Sequence, residues 1–184
     1  MRSIPPVQLR TLTATDAGTF ASWAEDESFC HRAEWEPGRG RAHYVDFHRR
    51  IILDPPAELL RLGVVESRRG ALVGFVDLHG HSMRTRELGY LIGPSPNWGR
   101  GLGHAAAQAG LTYGFGVLRL EHIWAEARAS NHASVRILKN LAMRETTNGP
   151  QENGPRAYAG MRRFEITADE FASRDVPWRH AYDG

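Results

Sequence analysis

The tightest constraint on this chain is local. Gly99-Arg100-Gly101-Leu102-Gly103-His104 packs three glycines into six residues, between a stretch that must stop being a strand and one that must become a helix. Upstream, Arg86-Glu87-Leu88-Gly89-Tyr90-Leu91-Ile92 reads as a strand, and Pro94 and Pro96 prevent its ladder from continuing toward Trp98. Downstream, the alanine-rich run from Ala105 has helical propensity, with Leu111 and Phe115 adding an apolar face at i,i+4 spacing. Glycine lets backbone amides approach a ligand closely, and the unsatisfied N–H groups of a helix N-terminus attract negative charge. Strand, glycine turn and helix in that order can form an amide nest for an anion such as a pyrophosphate, although the same glycines also suit a purely structural turn. The spacing is neither Gly-x-x-x-x-Gly-Lys-Ser/Thr nor Gly-x-Gly-x-x-Gly, so neither nucleotide fingerprint is met.

The remaining pattern predicts one mixed α/β domain. Val7 to Leu12 alternates as a first strand, and Thr15-Asp16-Ala17 opens a helix with Phe20 and Trp23 on one face, ending in the acidic stretch before Cys30. Glu34 to Gly40 reads as a loop, and Arg41 to Leu53 carries Tyr44, Phe47 and Ile51 at helical spacing until Pro55-Pro56 stops it. Leu60 to Glu66 and Ala71 to Leu78 form a hairpin across Ser67-Arg68-Arg69-Gly70. Leu118 to Ala127 contains a strand through Leu120, His122 and Trp124. Asn131 to Leu141 is a helix with Val135 and Leu138 inward, and Ala159 to Thr167 is a late strand with Phe164 and Ile166 sharing a face. Asn148 to Pro155 reads as a loop, and with no repeat or linker in view the expectation is a single domain over residues 1–184 with its core near 7–171.

With 184 residues, 41% of them hydrophobic, such a chain can bury a core without staples. Its one cysteine, Cys30, excludes an intramolecular disulfide and a four-cysteine zinc site, and suits a cytoplasmic setting. Cys30 sits among acids that disfavour a thiolate, so a packing role is expected of it. No long apolar run suggests a signal or a membrane span. The formal charge of +2, with arginines interspersed by acids, does not call for nucleic-acid binding. His79 and His81, two apart in a strand region, would point to one side, but without an acidic ligand at a persuasive spacing no metal site is expected.

Three segments in order carry a family likeness: Glu87-Leu88-Gly89-Tyr90, then Pro94-x-x-x-Trp98-Gly99-Arg100-Gly101-Leu102-Gly103, then Asn131-His132-Ala133-Ser134-Val135-Arg136-Ile137-Leu138. Together they resemble the GNAT acyl-CoA N-acyltransferase superfamily, particularly its RimJ/RimL-type branch, from Val7 to about Phe171. The resemblance implies a mixed, mostly antiparallel central sheet flanked by helices, with a V-shaped acyl-CoA cleft. It implies acetyl-CoA as acyl donor, no metal, and direct transfer to an amine: a ribosomal-protein or other peptide N-terminus, or a small amine such as an antibiotic or metabolite. A homodimer is compatible with it. A noncatalytic acyl-CoA-binding or sensing domain is the alternative reading.

Residue by residue, the resemblance places the donor's pyrophosphate on the turn from Trp98 through Gly99, Arg100, Gly101, Leu102, Gly103 and His104. Trp98 stands where the family usually has Arg or Gln. Arg100 and His104 could face phosphate or serve as solvated surface, and Arg136 and Lys139 could approach CoA phosphates or pair on the helix surface. Asn131 matches the position near the pantetheine arm. Ser134 could protonate the departing thiolate or cap its helix. A backbone N–H near Leu91 or Ile92 is the address for stabilising the oxyanion. Glu87 is the leading general base, against a role in orienting the strand edge, and Glu152 is a secondary candidate. Tyr90 could bind substrate or simply pack, and Asp77 with His79 could assist proton transfer or be solvated. The run Leu138 to Met143 departs from the family's Leu-x-x-x-Gly-Phe by Ala142 and Met143.

Overall fold

The structure is a computed structural model, and it describes residues 5–36, 38–146 and 160–174. Its strands are β1 (Val7–Thr11), β2 (Leu59–Glu66), β3 (Ala71–His79), β4 (Thr85–Ile92), β5 (His122–Arg128), β6 (Arg144–Thr146) and β7 (Met161–Thr167). Its helices are α1 (Asp16–Trp23), α2 (Glu27–Ala33), α3 (Gly40–Leu53), α4 (Leu102–Gly116), α5 (His132–Asn140) and α6 (Ala168–Ala172). The strands form one sheet in the order β1-β2-β3-β4-β5-β7-β6. Every neighbouring pair is antiparallel except β4 and β5, which are parallel. The expected mixed, mostly antiparallel sheet flanked by helices is the architecture observed.

Period-two alternation divides the sheet between two cores. On one face Val76, Leu78, Leu88, Ile123 and Phe164 pack beneath α4 and α5, together with Leu111, Val135 and Leu138. On the other, Phe75 joins Phe20, Trp23 and Phe29 from α1 and α2. Gly110 and Gly114, which weaken α4 on propensity alone, are explained by contact. A Cβ at Gly110 would lie 2.7 Å from Leu88 Cδ1, and one at Gly114 would lie 2.6 Å from Ile123 Cδ1, so the helix lies directly on the sheet.

Several elements differ from the expectation. The first helix ends ahead of the acidic stretch as expected, but a second, unforeseen helix starts within it: Asp26 caps it, its carboxylate accepting the Phe29 N–H at 3.0 Å, and Cys30 is buried inside that helix. On α3 the inward residues are Tyr44 and His48, while Phe47 is 40% exposed. β5 begins at His122, because the backbone turns at Arg119 with φ 56. β3 ends at His79 and Gly80 turns away with φ 132, so His81 leaves the strand and the two histidines do not form a strand-spaced pair. No helix among the described residues is long and apolar enough to cross a membrane.

Candidate active site

The sheet carries its own opening. β4 pairs with β3 along His79↔Glu87 to Gly74↔Ile92, yet it pairs with β5 only at Thr85↔His122, Arg86↔Ile123 and Glu87↔Trp124. Beyond Glu87 the strands part, and Ala125 to Arg128 of β5 pair with β7 alone. Gly93 donates its N–H to Val73 of β3 at 3.0 Å, so strand alternation turns the Leu91 amide the same way and leaves the Tyr90 and Ile92 amides facing the gap. Of the two amide addresses read from the sequence, Ile92 is the one on the cleft side. Leu91 contributes its side chain to the cleft wall.

Two lobes meet in this gap. The larger, about 1320 Å³, is lined by residues that include His31, Arg32, Glu34, Gly89, Glu126 and Arg128. The smaller, about 560 Å³, runs over the glycine turn to His104, Arg136 and Ile137. Tyr90, Leu91, Trp98, Asn131 and Ser134 border both. The larger lobe contains the carboxylates of Glu34 and Glu126. The smaller is bordered by Arg32, Arg136 and His104 and by no carboxylate among the described residues.

The turn has the form an anion needs. After the cis Gly93–Pro94 bond and a short 3-10 turn at Ser95–Asn97, Gly99 (φ 72) and Gly101 (φ 86) adopt left-handed backbone that disfavours a side chain. Gly101 is the N-cap of the 15-residue α4, so the orphan amides of that helix start at the lobe. The Trp98 indole N–H donates to the Ile92 carbonyl at 2.8 Å and folds the turn back on β4.

Glycines 99, 101 and 103, with Ile92, Trp98, His104, Asn131 and Arg136, all border the smaller lobe. Two other residues of the expected donor set face elsewhere. Arg100 donates to Asn97 Oδ1 and to Glu66 Oε1, both at 2.7 Å, so its charge is matched outside the lobe by the end of β2. The Leu102 side chain is 1% exposed in the core. Lys139 lies 4.0 Å from Glu145 and does not border either lobe. Asn131, not Ser134, caps α5: its side-chain Oδ1 accepts the Ser134 N–H at 3.2 Å, which leaves the Ser134 hydroxyl at the junction. The buried Tyr90 hydroxyl there has no hydrogen bond of ordinary geometry, and burial holds its pKa at about 12 against a smaller opposing effect of Ser134.

Glu87 is the last residue of β4 paired with β5 before the strands part, and it adjoins the cleft through Leu88 and Gly89 without itself bordering either lobe. Burial first, then the neighbouring charges of Glu126 and Asp77, push its pKa up to about 7, against the pull of Arg163. Its side chain shares a face with Gly89. A Cβ at Gly89 would meet only Asp77 Cβ, at 3.5 Å, so that face stays open between Glu87 and Leu91. Asp77 itself is held by Arg61 through bonds of 2.8 and 2.7 Å, and His79 lies 4.0 Å from Glu58. Glu152 lies outside the described residues. Burial, then Asp26, raises the Cys30 thiol pKa, in keeping with a packing role.

Sequence reasoning passed over Glu126 and Arg32. Glu126 Oε1 accepts from Arg163 at 3.2 Å, and that guanidinium lies 3.6 Å over the Trp124 ring. Pairing of β4 with β5 brings these residues beside Glu87, and no local motif announces it.

A family model described as an acetyltransferase (GNAT) domain matches residues 7–144. The chain belongs to the GNAT acetyltransferase family. Solved GNAT structures share its fold. A GNAT-family acetyltransferase from Bacillus anthracis is 20% identical, with a TM-score of 0.71 over 91% of this chain and 98% of that one. A spermidine N-acetyltransferase from Vibrio cholerae in complex with CoA and spermine is 20% identical, with a TM-score of 0.70 over 90% of this chain and 98% of that one. A dodecameric structure of the Vibrio enzyme in an intermediate state is 19% identical, with a TM-score of 0.66 over 92% and 98%.

Proposed function

We propose that this GNAT domain is an acetyl-CoA-dependent N-acetyltransferase that transfers acetyl directly to a primary amine. The observation that carries the reading is the two-lobed cleft: a carboxylate-free lobe over the amides of α4 joins a larger lobe in which Glu34 and Glu126 are each paired with an arginine. Phosphates suit the first lobe, and the second has room for the amine, which attacks in its neutral form. The glycine turn and Arg136 hold the donor, and Asn131 lies beside its pantetheine arm. The thioester sits at the junction, where the Ile92 N–H meets the developing oxyanion. The amine enters over Gly89 and gives a proton to Glu87, directly or through water, as its nitrogen attacks the carbonyl carbon. The C–S bond breaks, the Ser134 hydroxyl protonates the departing thiolate, and the proton taken up by Glu87 returns through water to the serine oxygen.

A pKa of about 7 suits Glu87 to this role, since a base poised near ambient pH is ionised often enough to act and basic enough to accept. The test is CoA-thiol release with product identification from a panel of peptides with free α-amines, ribosomal-protein N-termini among them, antibiotic amines, spermidine and spermine. One CoA per acetylated amine is expected, with kcat/KM rising as pH rises through about 7 while Glu87 loses its proton. Glu87→Gln should lower kcat roughly a hundredfold and leave the Kd for acetyl-CoA unchanged. Saturable acetyl-CoA binding with no product across the panel would favour the sensing alternative, and an unaltered pH profile in Glu87→Gln would remove that residue from the chemistry.

A further inference from the structure

The glycine turn is one wall of the donor lobe, and α2 is the other. Two independent contacts tie that helix to the turn. Asp26 at its N-cap accepts the Phe29 N–H with one carboxylate oxygen and the Ser95 N–H, at 2.8 Å, with the other. Gly93 fits against α1 and α2 so closely that a Cβ there would lie 2.7 Å from both Phe29 Cε2 and the Trp23 ring. The helix is therefore registered on the segment that leads into the amide nest. One turn beyond Phe29 it presents Arg32, whose guanidinium lies 5.3 Å from the Trp98 ring centroid and borders both lobes.

Arg32 differs from Arg100 and Arg128 and shares with Arg136, on α5, the lack of an acidic partner among the described residues. Arg100 is matched by Glu66, and Arg128, at the larger lobe, is paired with Glu34. Among the described residues Arg32 has neither an ion pair nor a hydrogen bond, only the aromatic face, and it stands at a lobe without carboxylates. A diphosphate seated on the α4 amides has oxygens facing away from that helix. These need a counter-charge from the opposite wall; Arg100 is already engaged with Glu66, and Arg136 stands on α5, so among the described residues the free cation on the α2 side is Arg32. A guanidinium already resting on an indole is partly ordered and suited to a forked contact with phosphate oxygens.

We propose that Arg32 is a donor-binding residue, taking a CoA diphosphate oxygen from the α2 side of the lobe while the glycine turn holds the group from the α4 side. This rests on the acetyltransferase reading above and adds a cation from a helix 67 residues before the turn's first glycine. It also makes α2 a wall common to donor and acceptor, since the same helix borders the larger lobe through His31.

The experiment measures Kd by calorimetry for CoA, dephospho-CoA, which keeps the diphosphate but lacks the 3′-phosphate, and pantetheine, which lacks both. Arg32→Gln should weaken CoA and dephospho-CoA alike by about tenfold and leave pantetheine unchanged, with partial recovery in Arg32→Lys. Arg32 is exposed, so the thermal midpoint of both variants should match that of the unaltered chain. Unchanged CoA affinity in Arg32→Gln overturns the proposal. Loss for CoA without loss for dephospho-CoA puts the contact on the 3′-phosphate and overturns the diphosphate assignment, and equal loss for pantetheine reduces Arg32 to a wall residue. Failure of the unaltered chain to bind CoA removes the acetyltransferase reading, and the proposal with it, whereas binding lost by none of the variants leaves that reading standing and removes Arg32 alone.

Discussion

At the scale of single residues, burial is the largest influence on both Glu87 and His48 and moves their pKa values in opposite directions. Glu87 has a cation within reach, yet Arg163 is shared with Glu126 and lies flat on Trp124, so its pull does not offset desolvation and two acidic neighbours. His48 is 2% exposed among Phe20, Trp35 and Tyr44, and neither ring nitrogen has a partner. Burial, then Arg61, lowers its pKa from 6.5 to about 4. The folded chain therefore keeps this imidazole neutral while the unfolded chain takes up a proton below about pH 6.5. Stability from this source is whole above that pH and declines as pH falls toward about 4, by roughly 2 kcal/mol at pH 5. His48→Phe, which keeps an aromatic ring in the cluster, should remove that part of the acid sensitivity. Urea midpoints at pH 7 and pH 5 give the comparison: the gap between the two pH values should narrow in the variant, and an identical gap would mean His48 has a protonated state the fold accommodates.

At the scale of elements, the same glycine signal has different physical contents, and only contacts separate them. A Cβ at Gly74 of β3 would stand 2.2 Å from the Leu91 carbonyl oxygen, backbone that cannot swing aside. Gly74→Ala should therefore force β3 from β4, at a cost of about 2 kcal/mol or more, and weaken donor binding because the displaced strand is the cleft wall. Gly89→Ala, where a Cβ would meet Asp77 Cβ at an ordinary 3.5 Å, should stay within about 0.5 kcal/mol of the unaltered chain in the same urea titration. Comparable costs for both would show that β3 and β4 can dilate. This contrast also marks what a sequence reveals. The β2–β3 hairpin was legible because alternation and a polar turn are local, and the turn before α4 was legible because glycine spacing ahead of a helix is a local signal too. Helix α2 was not. Its seven residues, Glu27 to Ala33, bury Phe29 and Cys30, and its cap lies inside the acidic run where the sequence places the end of the first helix. The cleft positions of Arg32 and Glu126 were hidden for a related reason: the first needs the docking of α2 on the 93–98 segment, and the second needs the parallel register that sets Glu87 opposite Trp124. Arg100 was misplaced because its partner, Glu66, is distant in sequence and close only in the fold.

At the scale of the whole molecule, the sheet leaves unpaired edges where two cores come together. The core beneath α4 and α5 and the core of α1 and α2 lie on opposite faces, and Trp98 packs against both. Past Glu87, β4 and β5 no longer bond to each other, so this part of the sheet lacks the ladder that steadies the rest. A donor occupying the gap would touch β4, the α4 turn, the start of α5 and, through Arg32, α2, and so would tie both cores to one ligand. Saturating acetyl-CoA at a hundred times its Kd should add about 2.7 kcal/mol of stability, and hydrogen exchange would show where that falls. Amides of residues 88–92, 98–104, 131–136 and 27–33 should slow together on addition of acetyl-CoA. Locally fraying amides of the edge strands β1 and β6 should exchange as before, because their opening does not release the ligand. Protection confined to α4 and α5, with α2 unchanged, would mean that the donor rests on one wall and that the two cores are not linked through it. Slowing across all four segments would make donor occupancy the step that completes the acceptor wall, and transfer should then require acetyl-CoA to bind before the amine.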